Sequence, residues 1–188
     1  MRYLHGCGGY VPAADASAQR KALRVYNPAA MKNAAELIER LGLRPHPEGG
    51  WFREVHRAAA RVGTERGSRS ALTTIYYLLE RGQISRWHVV SSDEIWHFYG
   101  GAPLELLVYD TGIRTLQRRV LAPASADHEP IGIVRAGEWQ AARSLGEYSL
   151  VGCNVGPGFE FEDFRFVAAL PGHEAHFSGE LAACSFLL

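Results

Sequence analysis

A histidine and a glutamate lie close together in the segment over residues 82–101, GQISRWHVVSSDEIWHFYGG. His88 precedes Glu94 by six residues. A histidine paired with a carboxylate can serve as a general base, because imidazole titrates close to neutral pH. The same side-chain types also ligate metals. The pair therefore indicates acid–base chemistry or part of a metal site, and a structural histidine satisfied by Glu94 is the alternative without a function.

The local strand pattern predicts which side chains surround this pair. Residues 91–93 (Ser-Ser-Asp) are predicted to reverse the chain, so that His88 and Glu94 lie on adjacent antiparallel strands within reach of one ligand. Side chains alternate between the two faces of a strand. Trp96 and Phe98 therefore share a face with Glu94, and we expect them to form an aromatic wall of a ligand pocket.

Three further side chains are candidate ligand-binding groups. Arg53, in the alternating stretch over residues 51–56, suits a phosphate or carboxylate. A surface or subunit-interface ion pair is the alternative for this arginine. Phe159 offers aromatic surface, and Asp163 offers a second carboxylate for His88.

Most of the chain after residue 50 is predicted to form short strands separated by turns. The predicted strands cover residues 51–56, 71–79, 84–90, 93–99, 103–109, 115–121, 131–135, 148–155 and 164–169. Residues 58–70 are rich in glycine and arginine and are predicted to form a mobile surface loop. Many short strands at regular spacing are typical of an all-β sandwich or barrel.

A short helix is predicted before the first strand. Asn33 and Glu36 have the spacing of a capping box, and Gly42 is a typical helix C-terminus. Residues 1–32 lack an apolar period and are expected to form a loosely ordered arm, with residues 33–188 as one domain. A natural start at Met31 is left open. The histidines near the C-terminus, in PGHEAH, are expected to lie in a solvated tail.

Composition excludes several classes of partner. Lys plus Arg and Asp plus Glu both number 20, which argues against binding to nucleic acid or to a membrane surface. No signal-peptide or membrane-spanning pattern is present in the sequence. Three cysteines without a CxxC pair argue against a disulfide framework, so we expect a cytoplasmic protein.

The segment that holds His88 resembles the first signature of the cupin superfamily. Gly82, His88, Glu94 and Gly101 match that signature, whereas Val90 replaces its second histidine. Cupins that bind metal typically use three histidines and a glutamate, so the resemblance implies an incomplete metal site in which His88 and Glu94 would be ligands.

The second cupin signature is degenerate. Pro157 and Gly158 resemble it with a spacing shifted by one residue. Glu162 then occupies the histidine position and Asp163 stands beside it. Sugar epimerases of this fold work through a His–Asp pair without metal, so the resemblance also allows His88 to pair with Asp163.

Longer phrases narrow the resemblance to one branch of the superfamily. PHPEGGWFREVHR, LTTIYYLL, SDEIWHFYGG and VGCNVGPGFEFEDF together resemble a small cupin family classed as a domain of unknown function. The resemblance implies an all-β cupin double-stranded β-helix, a jelly-roll barrel with a short N-terminal helix. It also implies a homodimer. It does not imply a reaction, because fold does not determine function.

The function predicted from these features is binding of a small polar or anionic ligand, such as a nucleotide, a sugar or a sugar nucleotide, in the barrel. If the protein is an enzyme, a metal-free isomerase or epimerase with His88 as base is expected, and no cofactor is predicted. Two alternatives stay open. One is a non-catalytic ligand-binding or sensing module, and the other is a metal-dependent oxygenase or isomerase that holds a divalent ion.

Overall fold

The computed structural model describes residues 33–188. The predicted arm over residues 1–32, with the alternative start at Met31, lies outside the described residues. Within them are helices α1 (Ala34–Leu41) and α2 (Gly179–Ala182), several short 3-10 helices and thirteen strands. The strands are β1 (Arg44–Pro45), β2 (Trp51–Arg57), β3 (Arg61–Thr64), β4 (Gly67–Ser70), β5 (Thr73–Glu80), β6 (Ile84–Val90), β7 (Asp93–Gly101), β8 (Leu104–Asp110), β9 (Thr115–Leu121), β10 (Ile131–Val134), β11 (Trp139–Ser144), β12 (Tyr148–Gly156) and β13 (Phe164–Phe166).

Eleven of the thirteen strands form two sheets that face each other, and β3 and β4 form a separate hairpin, which confirms the predicted all-β jelly-roll barrel. The first sheet has the order β1-β2-β5-β12-β7-β10, and the second has the order β13-β6-β11-β8-β9. All pairings between these strands are antiparallel. No helix of the described residues is long and apolar enough to cross a membrane.

Alternating apolar side chains on the strands fill one part of the barrel. The side chains of this cluster are Tyr77, Leu79, Trp96, Leu104, Leu106, Val108, Leu121, Val134, Ala142, Val151 and Cys153. Gly132 on β10 makes room for them, because a Cβ there would lie 2.7 Å from a methyl carbon of Leu106. Burial of these side chains is the main driving force that holds the two sheets together.

Helix α1 covers part of the outer face of the first sheet. Asn33 Oδ1 accepts a hydrogen bond from the Glu36 backbone N–H at 2.8 Å, and Gly42 ends the helix with φ 61°. Both predicted helix signals are thereby confirmed. Leu37 is 1% exposed and packs against Leu78, so the helix is fixed by its apolar face.

The prediction of a mobile loop over residues 58–70 is wrong, because this segment forms the hairpin β3–β4. Arg69 on β4 makes two hydrogen bonds to the carboxylate of Asp163, at 2.8 Å and 3.1 Å. Arg66 donates to the backbone oxygen of Ser91 at 2.5 Å. These long-range contacts fix a hairpin whose own sequence is typical of a loop.

The C-terminal segment is likewise not the solvated tail that we expected. Leu181 and Leu187 are 3% and 0% exposed and pack with Trp87 and Val167 against the outer face of the second sheet. His176 lies against Trp139, with ring centroids 5.0 Å apart. Strand β11, which carries Trp139, was not predicted, and the strand expected over residues 164–169 ends at Phe166 and continues as a 3-10 helix.

Candidate functional site

A cavity of about 280 Å³ opens between the two sheets, beside the apolar cluster. Strands β5 and β7 each contribute to both the apolar cluster and the cavity. On β5, Tyr77 lies in the cluster and Ile75 lines the cavity. On β7, Trp96 lies in the cluster and Glu94 lines the cavity. The cavity is lined by Arg44, His46, Glu48, Phe52, Glu54, Arg57, Thr73, Ile75, His88, Val90, Glu94, Cys153, Val155, Phe159, Glu160, Phe161 and Phe164.

His88 is held in the cavity wall with a defined orientation. Its ring is 2% exposed and stacks on Phe164, with centroids 5.1 Å apart. Its Nδ1 lies 2.7 Å from the backbone oxygen of Arg86. Because a carbonyl oxygen only accepts hydrogen bonds, Nδ1 carries the proton. In the neutral ring Nε2 is therefore the free base, and it lies 3.3 Å from Glu48 Oε2.

Glu48 is 6% exposed and comes from the turn between β1 and β2. The Arg86 backbone joins this turn to His88, because its N–H donates to the Glu48 carbonyl oxygen at 3.1 Å. Gly49 has φ 120°, and a Cβ there would lie 2.0 Å from the Ile84 carbonyl oxygen. Only glycine therefore allows the turn to approach β6 closely enough to bring Glu48 to the histidine.

His46 completes a row of titratable groups along the cavity. Its Nδ1 accepts a hydrogen bond from the Glu48 backbone N–H at 3.3 Å and lies 3.7 Å from Glu48 Oε1. Its ring meets Phe52 edge-on, with centroids 4.4 Å apart. The Glu48 carboxyl group thus stands between two imidazole rings.

Glu94 enters the cavity from the opposite sheet. Its Oε2 accepts a hydrogen bond from Gln140 Nε2 at 2.7 Å, and Gln140 Oε1 accepts one from Trp96 Nε1 at 2.9 Å. Gln140 on β11 pairs in register with His88 on β6. A buried chain of hydrogen bonds therefore joins the indole of Trp96 to the carboxylate of Glu94.

The expectation that His88 and Glu94 lie on paired strands is wrong. Strand β6 belongs to the second sheet and β7 to the first, so residues 91–93 cross between sheets instead of closing a hairpin. Both side chains point into the space between the sheets. The two groups consequently share the cavity, as predicted, but by facing each other across it.

Burial determines the protonation of these groups. It lowers the pKa of His88, against the opposing charge of Glu94, and lowers the pKa of His46, against that of Glu48. Burial raises the pKa of Glu48 and of Glu94, and the neighbouring histidines oppose this shift. The neutral forms of all four groups are favoured relative to water, as expected where charges leave solvent.

The cavity mouth carries an ion-pair network. Arg57 Nη2 lies 2.8 Å from Glu54 Oε2, and its Nη1 lies 2.7 Å from Glu160 Oε1. The same guanidinium donates to the backbone oxygen of Phe159 at 3.1 Å. This network holds the segment with Phe159 over the cavity, where its ring meets Phe161 edge-on.

The predicted site residues divide between the cavity and other positions. His88, Glu94 and Phe159 line the cavity. Trp96 is 1% exposed and lies in the apolar cluster, against which Phe98 also packs. Their shared face with Glu94 is confirmed, but within the described residues neither ring lines this cavity.

Arg53 and Asp163 lie outside the cavity. The Arg53 guanidinium is over the ring of Tyr76, 5.6 Å from its centroid, on the outer face of the first sheet. Asp163 is buried in its pair with Arg69, which holds the pKa of that carboxyl below its usual range. The carboxyl partner that the structure places beside His88 is Glu48, not Asp163.

Sequence reasoning missed Glu48, His46 and Gln140 as site residues. A signal for the first two was present in the phrase PHPEGG, where two glycines directly after a glutamate indicate a tight backbone approach. Gln140 carried no comparable signal, because its strand was not predicted.

Many proteins of this fold hold a metal ion, which requires several ligand side chains to converge on one point. Among residues 33–188, no group of three or more His, Cys, Asp or Glu side chains converges on a point where a metal would sit. His88 contacts a backbone carbonyl oxygen through Nδ1, which leaves Nε2 free, and one oxygen of Glu94 accepts from Gln140. These contacts are compatible with metal ligation, so what the site lacks within the described residues is a third converging ligand. The described side chains therefore do not form a preassembled three-ligand site for a resident metal ion.

Comparisons with known proteins agree with this architecture. Residues 35–167 match the family model described as Cupin superfamily (DUF985). A hypothetical protein from Leishmania major is 33% identical over 77% of this chain and 96% of its own, with a TM-score of 0.66. A protein from Shewanella oneidensis is 31% identical over 77% of this chain and 94% of its own, also with a TM-score of 0.66. A search of curated proteins found no match.

The chain therefore belongs to the cupin superfamily, in the family DUF985. Oxalate decarboxylase from Bacillus subtilis is more distantly similar, at 18% identity over 77% of this chain and 36% of its own, with a TM-score of 0.50. That likeness shows the shared fold and carries no statement about the reaction.

Proposed function

We propose that the barrel cavity binds a small polar ligand and that His88 and Glu48 act on it as an acid–base pair. The observation that carries this proposal is the 3.3 Å approach of His88 Nε2 to Glu48 Oε2 inside a cavity, with Nδ1 fixed by a backbone carbonyl. A base needs a free lone pair at a fixed position, and an acid needs a proton at neutral pH. The pKa of His88 is lowered and that of Glu48 is raised, and these directions favour the base form of the histidine and the acid form of the glutamate.

The reaction class that this pair supports is isomerisation next to a carbonyl group. His88 Nε2 would take a proton from the carbon beside the carbonyl, and the C–H electron pair would form the enol double bond. Glu48 would give its proton to the carbonyl oxygen. His88 would then return its proton to the former carbonyl carbon, while the hydroxyl group on the adjacent carbon would lose its proton to Glu48. These two transfers would give the isomer and restore both side chains.

Cavity size supports a small ligand. A volume of about 280 Å³ lies at the lower end of typical ligand pockets. It favours one sugar ring or a molecule of similar size over a nucleotide or a sugar nucleotide. The aromatic rings of Phe52, Phe159 and Phe164 supply the apolar surface for such a ring.

Deuterium exchange tests this function. The protein is incubated in D2O with reducing hexoses and pentoses, and incorporation of deuterium beside the carbonyl is followed by NMR. We expect incorporation with the wild-type protein and loss of it in His88→Gln and Glu48→Gln. Exchange that persists in both variants would contradict the assignment.

The same experiment separates the alternative functions. Saturable binding without exchange would support a non-catalytic binding or sensing module, which the hydrogen-bonded Glu94–Gln140 pair would suit as a fixed recognition group. Exchange that requires an added divalent metal would support the metal-dependent alternative with His88 and Glu94 as ligands.

We further propose a homodimer, as the family resemblance implies. Ile131 and Ile133 on β10 are 44% and 49% exposed on the outer face of the first sheet, and Tyr99 on β7 is 50% exposed. Sedimentation equilibrium should give a dimer that Ile133→Lys dissociates, whereas Ile113→Lys, in an exposed turn, should leave it intact. The cytoplasmic location also stays a proposal, to which the buried thiols of Cys153 and Cys184 are suited.

A further inference from the structure

The hydrogen bonds around Gln140 determine which of its side-chain atoms faces Glu94. The indole N–H of Trp96 can only donate, so the side-chain oxygen of Gln140 must face it. The amide nitrogen of Gln140 then faces Glu94 and donates to Oε2 at 2.7 Å. Oε2 of Glu94 is thereby an acceptor, and this hydrogen bond lowers the pKa of the carboxyl group against the larger rise that burial causes.

Within the described residues, the Glu94 carboxyl group has no cationic side chain at ion-pair distance. Between residues 33 and 188, no nitrogen of Lys, Arg or His lies within 4.0 Å of its oxygens. Glu94 is 6% exposed, and a buried carboxylate without a counter-charge is unfavourable. The missing charge is one that a ligand in the cavity can supply.

The arginines of the cavity do not compensate Glu94. Arg57 is shared between Glu54 and Glu160 at the mouth. Arg44 lies over the ring of Phe52, 4.9 Å from its centroid. An anionic ligand would therefore approach a lining with more carboxyl groups than guanidinium groups, and the neutral imidazoles of His46 and His88 would not offset them.

We propose that the cavity selects a small amine whose ammonium group donates a hydrogen bond to Glu94. Phenylalanine rings in the wall suit the same ligand, because a ring face attracts a cation; these are Phe52, Phe159, Phe161 and Phe164. This inference rests on the proposed function, since it takes the barrel cavity as the ligand site, and it replaces the anionic ligand expected from the sequence with a cationic one.

Three sugars of similar size that differ in charge test the inference. D-glucosamine, D-glucose and D-glucuronate are titrated into the full chain at pH 7.5 and the affinities are measured by calorimetry. We expect glucosamine to bind about ten-fold or more tightly than glucose, because hydrogen bonds between charged groups are the stronger ones, and glucuronate to bind most weakly. Glucuronate binding as tightly as glucosamine would overturn the inference.

Variants assign the preference to Glu94. Glu94→Gln should remove the advantage of glucosamine over glucose, whereas Glu147→Gln, at an exposed pair with Arg81, should keep it. A preference that Glu94→Gln leaves unchanged would overturn the inference. Cavity binding of glucose or glucuronate that is lost in His88→Gln, without preference for the amine, would overturn it and leave the proposed function standing. Absence of binding by all three sugars would count against both.

Discussion

At the scale of single residues, the site depends on pairs of groups that share protons. His88 and Glu48 are separated by 3.3 Å between Nε2 and Oε2, and the Arg86 backbone holds both. Burial shifts the two pKa values toward each other, down for the histidine and up for the glutamate. These directions favour a neutral imidazole beside a protonated carboxyl group, which is the arrangement an acid–base pair needs.

The pH dependence of stability follows from these directions. Between the lowered pKa of the buried histidines and 6.5, the unfolded state binds more protons, so the free energy of unfolding rises with pH. Between pH 4.5 and the raised pKa of Glu48 and Glu94, the folded state binds more protons, so the free energy of unfolding falls with pH. In the wild-type protein these contributions oppose each other.

Glu94→Gln removes one of the two glutamate contributions that make the free energy of unfolding fall with pH. It also removes the carboxylate that raises the pKa of His88. We therefore expect the free energy of unfolding, measured by urea denaturation from pH 4.5 to 6.5, to rise more steeply with pH in this variant than in the wild type. Glu147→Gln is the control at an exposed position. Equal slopes in Glu94→Gln and wild type would contradict the assigned directions.

Gln140 couples the apolar cluster to the cavity. Gln140→Leu leaves Trp96 Nε1 without a partner at a position that is 1% exposed, which should destabilise the protein by about 1–3 kcal/mol. Trp96→Phe should then cost less in the Gln140→Leu background than in the wild type, because the orphaned donor is already lost. Additive effects of the two changes on the free energy of unfolding would show that the hydrogen bond between Trp96 and Gln140 is absent.

The sequence predicted the two polar site residues that lie close together along the chain and missed those that lie far from them. His88 and Glu94 belong to one local pattern, and both line the cavity. Glu48 lies forty residues earlier than His88 along the chain, and Gln140 lies on a strand with weak local preference. Their approach to His88 and Glu94 results from strand pairing across the barrel, which a local pattern does not encode.

At the scale of elements, the hairpin β3–β4 shows the same limit. Its glycines and arginines are typical of a loop, and its order comes from the pair of Arg69 with Asp163, which lies 94 residues away along the chain. A tertiary contact thus overrides local preference. The strands with strong β-branched and aromatic content, such as β5, were predicted to within two residues.

Asp163→Asn tests what orders the hairpin. Loss of the two charge-assisted hydrogen bonds from Arg69 should accelerate amide hydrogen exchange over residues 61–70 by roughly ten-fold or more. Asp127→Asn, at an exposed position, is the matched control. Unchanged exchange rates in the hairpin of Asp163→Asn would show that other contacts hold it.

The C-terminal segment is predicted to be an integral part of the domain. Leu187 is fully buried against the second sheet, whereas the adjacent Leu188 is 36% exposed. Leu187→Ala should lower the free energy of unfolding by about 2–5 kcal/mol. Leu188→Ala should change it by less than about 0.5 kcal/mol, as is usual for surface positions. Equal, small effects in denaturant melts would mean that the segment does not pack as described.

At the scale of the whole molecule, the cavity lies between two sheets whose outer faces are packed against other segments of the chain. The C-terminal segment covers the second sheet and α1 covers part of the first. The barrel class was predictable because it requires only many short strands with turns between them. The distribution of those strands between two sheets was not, and it decides that His88 and Glu94 face each other.

The most direct test of the acid–base account is the protonation of His88, followed by nitrogen NMR of 15N-histidine-labelled protein and assigned with His88→Gln. The account predicts a neutral ring at pH 7 with the proton on Nδ1 and a pKa below 6.5. A ring that is already charged at pH 7, or one protonated on Nε2 when neutral, would contradict it, because His88 would then have no free base to offer the ligand.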